Sequence, residues 1–119
     1  MNKILVICGA TASGKTNLAI DCAKKLNTEI ISADSQLVYR GLNIGTAKPT
    51  IAEMQGVKHH MIDVVSAKDG FSVSDYERQA LPIVNNLLES GKTPIICGGT
   101  GFYINSLLYN LGYGNAAAD

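Results

Sequence analysis

Two rhythms of apolar and polar positions alternate along this chain. Residues 4–8 (ILVIC) are apolar without a break and stop at Gly9. An unbroken run of that length suits a strand covered on both faces of a parallel sheet. From Lys15 to Leu26 the rhythm turns helical, and Leu18, Ala19, Cys22, Ala23 and Leu26 are predicted to share one face. Residues 29–33 (EIISA) read as a second strand that ends at Asp34, and the glycine-rich stretch 41–49 reads as loop. Residues 61–65 fit a short strand. Further on, Tyr76, Ala80, Ile83, Val84, Leu87 and Leu88 recur at helical spacing, with Ser74 and Glu77 placed for a capping box and Gly91 for the stop. Pro82 falls inside that helix, where proline typically costs ~3 kcal/mol, and predicts a kink. Residues 94–97 form another strand, Gly98-Gly99-Thr100-Gly101 a turn, and 102–111 a last helix.

Strand and helix in strict alternation imply an α/β fold, a parallel sheet with helices on its faces. The order of elements is that of a three-layer, P-loop NTPase-like domain. Only three or four strands are in view, so one sheet edge and part of one face are left uncovered, and the sheet reads as incomplete. The stretch 114–119 (GNAAAD) reads as a tail that covers neither, and self-association through the open sheet is one consequence.

Composition narrows this further. The 119 residues allow one domain, and 46% hydrophobic with 17% charged residues is the balance of a globular chain. Ten basic residues against ten acidic ones exclude a small, strongly basic nucleic-acid module. No apolar run approaches the ~20 residues of a membrane-spanning helix. The apolar start is too short for a signal peptide and runs into glycine-rich chemistry, so a mature N-terminus and a cytoplasmic protein are expected. Cys8, Cys22 and Cys97 show no CxxC spacing, which argues against a disulfide framework or a thiolate metal site. Cys8 and Cys97 are expected to behave as small buried hydrophobes.

The strongest chemical signal is Gly9-Ala10-Thr11-Ala12-Ser13-Gly14-Lys15-Thr16, which matches GxxxxGK[ST] between a strand and a helix. Glycines there let backbone N–H groups converge on an anion, and the following helix aims its positive end at the same point. Lys15 neutralises terminal phosphate oxygens, and the Thr16 hydroxyl suits a Mg²⁺ ligand. Asp34 emerges at the carboxyl end of the second strand, where ligands of open α/β sheets gather. It fits two roles from spacing alone. One is a base or a water-mediated Mg²⁺ holder, and the other is a cap for the short helical stretch that follows. Gly98-Gly99-Thr100-Gly101 repeats the strand-turn-helix design and fits either diphosphate donors or a tight reversal. His59 and His60 are adjacent, so on a strand they face opposite ways and do not share a metal. Asp63 ends a weak imitation of a strand with a Mg²⁺-side carboxylate. Tyr103, Tyr109 and Tyr113 read as packing residues.

Taken together, GATASGKT, ISADSQLVYRGLNIGTAKP (31–49), HHMID (59–63) with FSVSDY (71–76), and PIICGGTGFYINSLL (94–108) resemble the bacterial tRNA dimethylallyltransferases, also called tRNA isopentenyl-diphosphate transferases. The resemblance extends over residues 1–113. It implies transfer of a dimethylallyl group from dimethylallyl diphosphate to N6 of an adenosine beside the anticodon of tRNA, with Mg²⁺ as cofactor. On the matching positions it implies that residues 11–16 hold the donor diphosphate instead of an ATP cleaved at its γ-phosphate, and that Thr16 contributes to the Mg²⁺ site. Asp34 matches the general base. Ser35, Gln36 and Leu37 match the segment that touches the flipped-out adenosine, and Thr100 matches a residue near diphosphate and tRNA.

Ala10 departs from a frequent proline, without consequence for glycine-set loop geometry. Gln36-Leu37 departs from a pattern with Gln one place later and bears on adenine contacts. The family's members are longer, and the inserted helical region, further basic contacts and remaining strands are expected outside this stretch, which by itself would have little activity. The rival readings are a small P-loop kinase, for which Arg40 and Arg78 are the only arginines, an adenylate prenyltransferase, and a phosphate-binding domain without catalysis.

Overall fold

The computed structural model describes residues 3–8, 15–40, 49–66 and 68–113. The phosphate-loop residues 9–14, most of the predicted 41–49 loop and the tail 114–119 lie outside the described residues. Strands β1 (Leu5–Cys8), β2 (Ile30–Ser32), β4 (His59–His60) and β6 (Ile95–Gly98) make one parallel sheet in the spatial order β1-β6-β2-β4. Two further short strands, β3 (Tyr39–Arg40) and β5 (Val65–Ser66), pair in parallel beside it. The helices are α1 (Lys15–Leu26), α2 (Ile51–Met54), α3 (Val73–Glu89) and α4 (Gly101–Leu108), and a π-type turn over Tyr109–Tyr113 follows α4.

Side chains of a strand alternate between faces, and this alternation builds three layers. Ile30 and Ile95 turn to one face and pack with Ile7 against Ala19, Ile20 and Ala23 of α1. Ile31 and Ile96 turn to the other face, against Tyr76 and Val84 of α3 and Ile104 and Leu107 of α4. These four isoleucines sit in register, Ile30 beside Ile95 and Ile31 beside Ile96. Each contributes roughly 1.5–3 kcal/mol by leaving water. The expected α/β layering is therefore present, and α1 keeps its predicted bounds.

Several local expectations need correction. Among the described residues β1 pairs only with β6, so Leu5 and Val6 are half-buried and Cys8 is exposed, not a buried hydrophobe. The buried arc of α1 centres on Ala23, with Ala19 and Ile20, while Leu18 and Leu26 stand 53% and 45% exposed. Small residues at 19 and 23 bring the helix close to the sheet and leave the flanking leucines at its margin. The capping box of α3 is Ser72 with Asp75, two residues before the predicted pair. Ser72 Oγ accepts from Asp75 N–H at 3.1 Å and Asp75 Oδ2 from Ser72 N–H at 2.9 Å. Starting there places Phe71 and Tyr76 of one core cluster at the two positions of a hydrophobic staple.

The helix then continues through Pro82, which faces solvent, and closes where expected. Gly91 at φ +79° donates to Leu88 O, and Lys92 N–H reaches back to Leu87 O at 2.9 Å. The strand expected at 61–65 is instead at His59–His60, because Met61 and Asp63 take positive φ and turn the chain out of the sheet. The last helix is shorter than 102–111 and gives way to the π-type turn, where Gly112 has φ +90°.

The outer strand β4 is held by a polar pair. His60 Nε2 lies 2.7 Å from Glu29 Oε1, just before β2. The His60 hydrogen bond, then the charges of His60, Lys58 and Lys92, outweigh desolvation and hold the Glu29 carboxyl below its ordinary 4.5. A carboxylate favoured by folding stabilises above the unfolded-state pKa and loses that contribution as pH falls through the lower folded-state value. Glu29→Gln should therefore flatten the acid side of a stability–pH curve below about pH 4.5 and leave its shape above neutrality unchanged. Parallel acid limbs for the two proteins in urea titrations would contradict this.

Candidate active site

The site is assembled at the carboxyl ends of β2 and β6. Beyond Ser32, Ala33 N–H still donates to Cys97 O at 2.9 Å, and Ala33 O in turn accepts from Thr100 N–H at 3.1 Å. The two chains run so close that a Cβ on Gly98 would lie 2.2 Å from Ala33 O. Glycine at 98 is thus a steric requirement. Of the two readings of Gly98-Gly99-Thr100-Gly101, the tight approach is the one visible directly.

Asp34 starts a turn over residues 35–38. Its Oδ1 accepts from Gln36 N–H at 2.8 Å and Leu37 N–H at 3.3 Å, so the capping role is real. Both bonds go to Oδ1, and Oδ2 is the oxygen that can meet a ligand's N–H. Ser35 N–H donates to Thr100 Oγ1 at 2.9 Å across 65 residues of chain. Asp34, Ser35, Gln36, Leu37 and Thr100, singled out separately in the sequence, therefore form one cluster. Lys15 and Thr16 open the first turn of α1, beyond the end of β1, and that turn holds no acidic residue. The positive end of a twelve-residue helix accordingly stands at the same edge of the sheet. The side chains of Lys15 and Thr16 and the whole of Gly9, Ala10, Thr11, Ala12, Ser13 and Gly14 lie outside the described residues.

A buried aromatic pair braces this cluster. Tyr76 and Tyr103 stack with ring centroids 4.1 Å apart and 13° between planes. Tyr76 Oη–H donates to Ser32 O at 2.7 Å, two residues before Asp34. Burial pushes the Tyr76 phenol well up, so it stays a donor. The Tyr103 phenol is also raised, first by burial and then by Tyr39, Asp34 and Asp75 around it. Tyr76 was legible only as a core position of α3. The signal for more was its type, since a buried tyrosine needs a partner for its hydroxyl. Tyr76→Phe should lower stability by about 1 kcal/mol, read as a shifted urea midpoint at constant m-value. A midpoint identical to wild type would show that the bond contributes nothing.

Other candidates fall away from the cluster. His59 Nδ1 lies 2.9 Å from Val57 O, and His60 is held by Glu29. Among the described residues no group of three or more His, Cys, Asp or Glu is placed to hold a metal ion. Tyr103 is core, as expected, but Tyr109 is 73% exposed and does not pack. The Tyr113 side chain is outside the described residues.

A three-layer parallel α/β protein with its polar residues collected where β1, β2 and β6 end is the class this geometry defines. Residues 37–118 match the protein family described as IPP transferase, and the chain belongs to that family. It is 51% identical over 119 residues to the tRNA dimethylallyltransferase of Acetivibrio thermocellus, covering all of this chain and 38% of that protein. It also superposes on the tRNA delta(2)-isopentenylpyrophosphate transferase of Staphylococcus epidermidis with a TM-score of 0.86 and 51% identity, over 92% of this chain and 36% of that one. The tRNA isopentenylpyrophosphate transferase of Bacillus halodurans gives 0.87 and 45%, with the same coverage. The chain thus spans less than two fifths of the length of these relatives.

Proposed function

We propose that this chain supplies the donor-diphosphate and acceptor-base part of an enzyme that moves a dimethylallyl group from dimethylallyl diphosphate to N6 of an adenosine beside the anticodon of tRNA. The observation that carries the reading is the Ser35 N–H to Thr100 Oγ1 bond, which joins the carboxylate turn to the GGTG turn at one sheet edge.

In the reaction, the N6 lone pair attacks the allylic C1 as the bond from C1 to the diphosphate oxygen breaks. The N6 proton passes to Asp34 Oδ2, and the electron pair leaves with diphosphate. An exocyclic amine is a weak nucleophile, so holding and deprotonating it is where a placed carboxylate helps most. Charge developing on diphosphate is met by Lys15 and by the positive end of α1. Thr100 Oγ1 accepts from Ser35, which leaves its own proton free for an acceptor oxygen. Ser35, Gln36 and Leu37 flank the carboxylate and form the surface against which an extruded adenine would lie.

Mg²⁺ is the ion this reading implies. Magnesium is commonly held by one or two protein oxygens together with substrate phosphates. Thr16 would be its protein ligand, and the ion would supply further charge neutralisation on diphosphate. A tRNA acceptor supports a cytoplasmic location. Among the described residues no helix is long and apolar enough to cross a membrane.

Titration of the chain with dimethylallyl diphosphate and with ATP, each with Mg²⁺, tests the reading. Preference for the prenyl diphosphate is expected. Tight ATP binding with no response to the prenyl compound would overturn it in favour of a phosphoryl transferase.

A further inference from the structure

At the edge of the sheet opposite Asp34, three lysines meet around a hollow. Lys24 comes from the last turn of α1, Lys58 precedes β4 and Lys92 precedes β6, and all three line one cavity of about 400 Å³. They are far apart in sequence, and the sheet assembles them. Ile30 N–H donates to Lys58 O at 3.0 Å and Ile95 N–H to Glu29 O at 3.2 Å, so the entries into β2, β4 and β6 stand side by side. Thr28 N–H donates to Ala23 O at 3.0 Å and ties the end of α1 to the same edge, while Lys92 N–H, bonded to Leu87 O, ties in the end of α3.

The charges do not cancel here as they do over the whole chain, where ten basic residues balance ten acidic ones. Glu29 is the one carboxylate in the cavity wall, against three lysines, and it is engaged by His60 at 2.7 Å. Lys24 Nζ donates to the neutral amide oxygen of Gln55. Among the described residues neither Lys58 nor Lys92 has an ion-pair partner. The helix ends at this edge do not offset the surplus, because Ala23 O, Lys24 O and Met54 O already accept from Thr28, Asn27 and Val57 N–H. Positive charge gathered in a concavity focuses the field on an anion. Ammonium groups only donate, and a phosphoryl group offers only acceptor oxygens unless protonated. The volume is that of a small-molecule pocket, for which ~300–1,000 Å³ is usual. A hollow of this size, on the edge away from the Asp34 turn, suits a small anion better than the backbone of a folded RNA.

We propose that this hollow is a second anion site, in which Lys24, Lys58 and Lys92 bind the phosphoryl group of a small molecule, either free phosphate or a phosphate monoester. It shares no residue with the Asp34–Thr100 cluster and stands or falls independently of the functional reading above.

The test is an NMR titration of the 119-residue chain with inorganic phosphate and, separately, with AMP. The amides of Gly56, Val57 and Lys58 should shift along one saturable curve, distinct from any curve followed by Ser35 and Thr100 at the other edge. A tighter curve with AMP would identify a monoester as the ligand, and an equal or weaker one free phosphate. Lys58→Gln and Lys92→Gln should each raise Kd about threefold, the size of one exposed charge contact. Glu29→Gln should lower Kd by a similar factor, because it removes the opposing charge, and added salt should weaken binding throughout. Thermal melts of the two lysine variants within about 2 °C of wild type show that the change is in binding and not in folding. Absence of a saturable shift at these amides, or an unchanged Kd in the Lys58→Gln, Lys92→Gln double variant, would overturn the proposal. Shifts produced by an anticodon stem-loop RNA but by neither phosphate nor AMP would also overturn it, in favour of an RNA contact.

Discussion

Asp34→Asn should leave the fold standing and lower prenyl transfer by ~10²–10⁴-fold, the range removed with a general base. The amide oxygen of asparagine can still accept from Gln36 and Leu37, so the turn keeps its cap, while no atom remains to take the N6 proton. Asp34→Ala removes both functions and should also destabilise the chain by roughly 0.5–2 kcal/mol. The comparison separates the two roles that spacing alone left open. Melts of the chain read the cap, and initial rates on tRNA in an enzyme carrying this segment read the base. An asparagine variant within threefold of the wild-type rate would remove Asp34 from the chemistry.

Gly98→Ala should sharply destabilise the chain. The added carbon would meet Ala33 O at 2.2 Å, Ala33 C at 2.4 Å and its Cα at 2.8 Å, all of them backbone. No side chain can swing away, so β2 and β6 must separate just where Ala33 bonds to Cys97 and Thr100. Overpacking costs 1–3 kcal/mol and sometimes more, and backbone contacts of this closeness put the loss at about 3 kcal/mol or above. At roughly 3–5 °C per kcal/mol for a chain of this size, the melt should fall by roughly 10 °C or further. Pyrophosphate binding should weaken with it. A variant that melts within about 2 °C of wild type would mean that the strands can part freely, and the case for a rigid junction would be lost.

How far this was legible from residues varies with the kind of signal. Helix α1 keeps its predicted bounds, since an amphipathic period following a GxxxxGKT loop leaves little choice. Its buried arc was misjudged because periodicity counts Leu18 as apolar without knowing how closely Ala19 and Ala23 let the sheet approach. The sequence around α3 contains two overlapping capping boxes, Ser72 with Asp75 and Ser74 with Glu77. Only packing selects the first, and Glu77 instead accepts from Ser106 Oγ of α4 at 2.6 Å. Strand β4 consists of two histidines, which no apolar pattern marks; its identity comes from pairing with β2. Asp34, Thr100 and the residues after Asp34 were all legible as candidates from their motifs. Their meeting was not, because a bond from Ser35 to Thr100 spans most of the chain and leaves no trace in local spacing.

The order of strands has a consequence for how such a molecule comes into being. β1 and β2 are made first, yet they are not paired with each other; β6, made some sixty residues after β2, slots between them. Until it arrives, Leu5 and Ile30 have no common neighbour in the sheet, and loop closure across most of the chain has to precede the reward. The growing polypeptide can therefore hold α1 long before β1 and β2 are joined in one sheet. Since Thr100 follows β6 directly, the strand that locks the fold also delivers the last partner of the Asp34 turn. Pairing of β6 with β2 and closure of the Ser35–Thr100 bond are therefore one event.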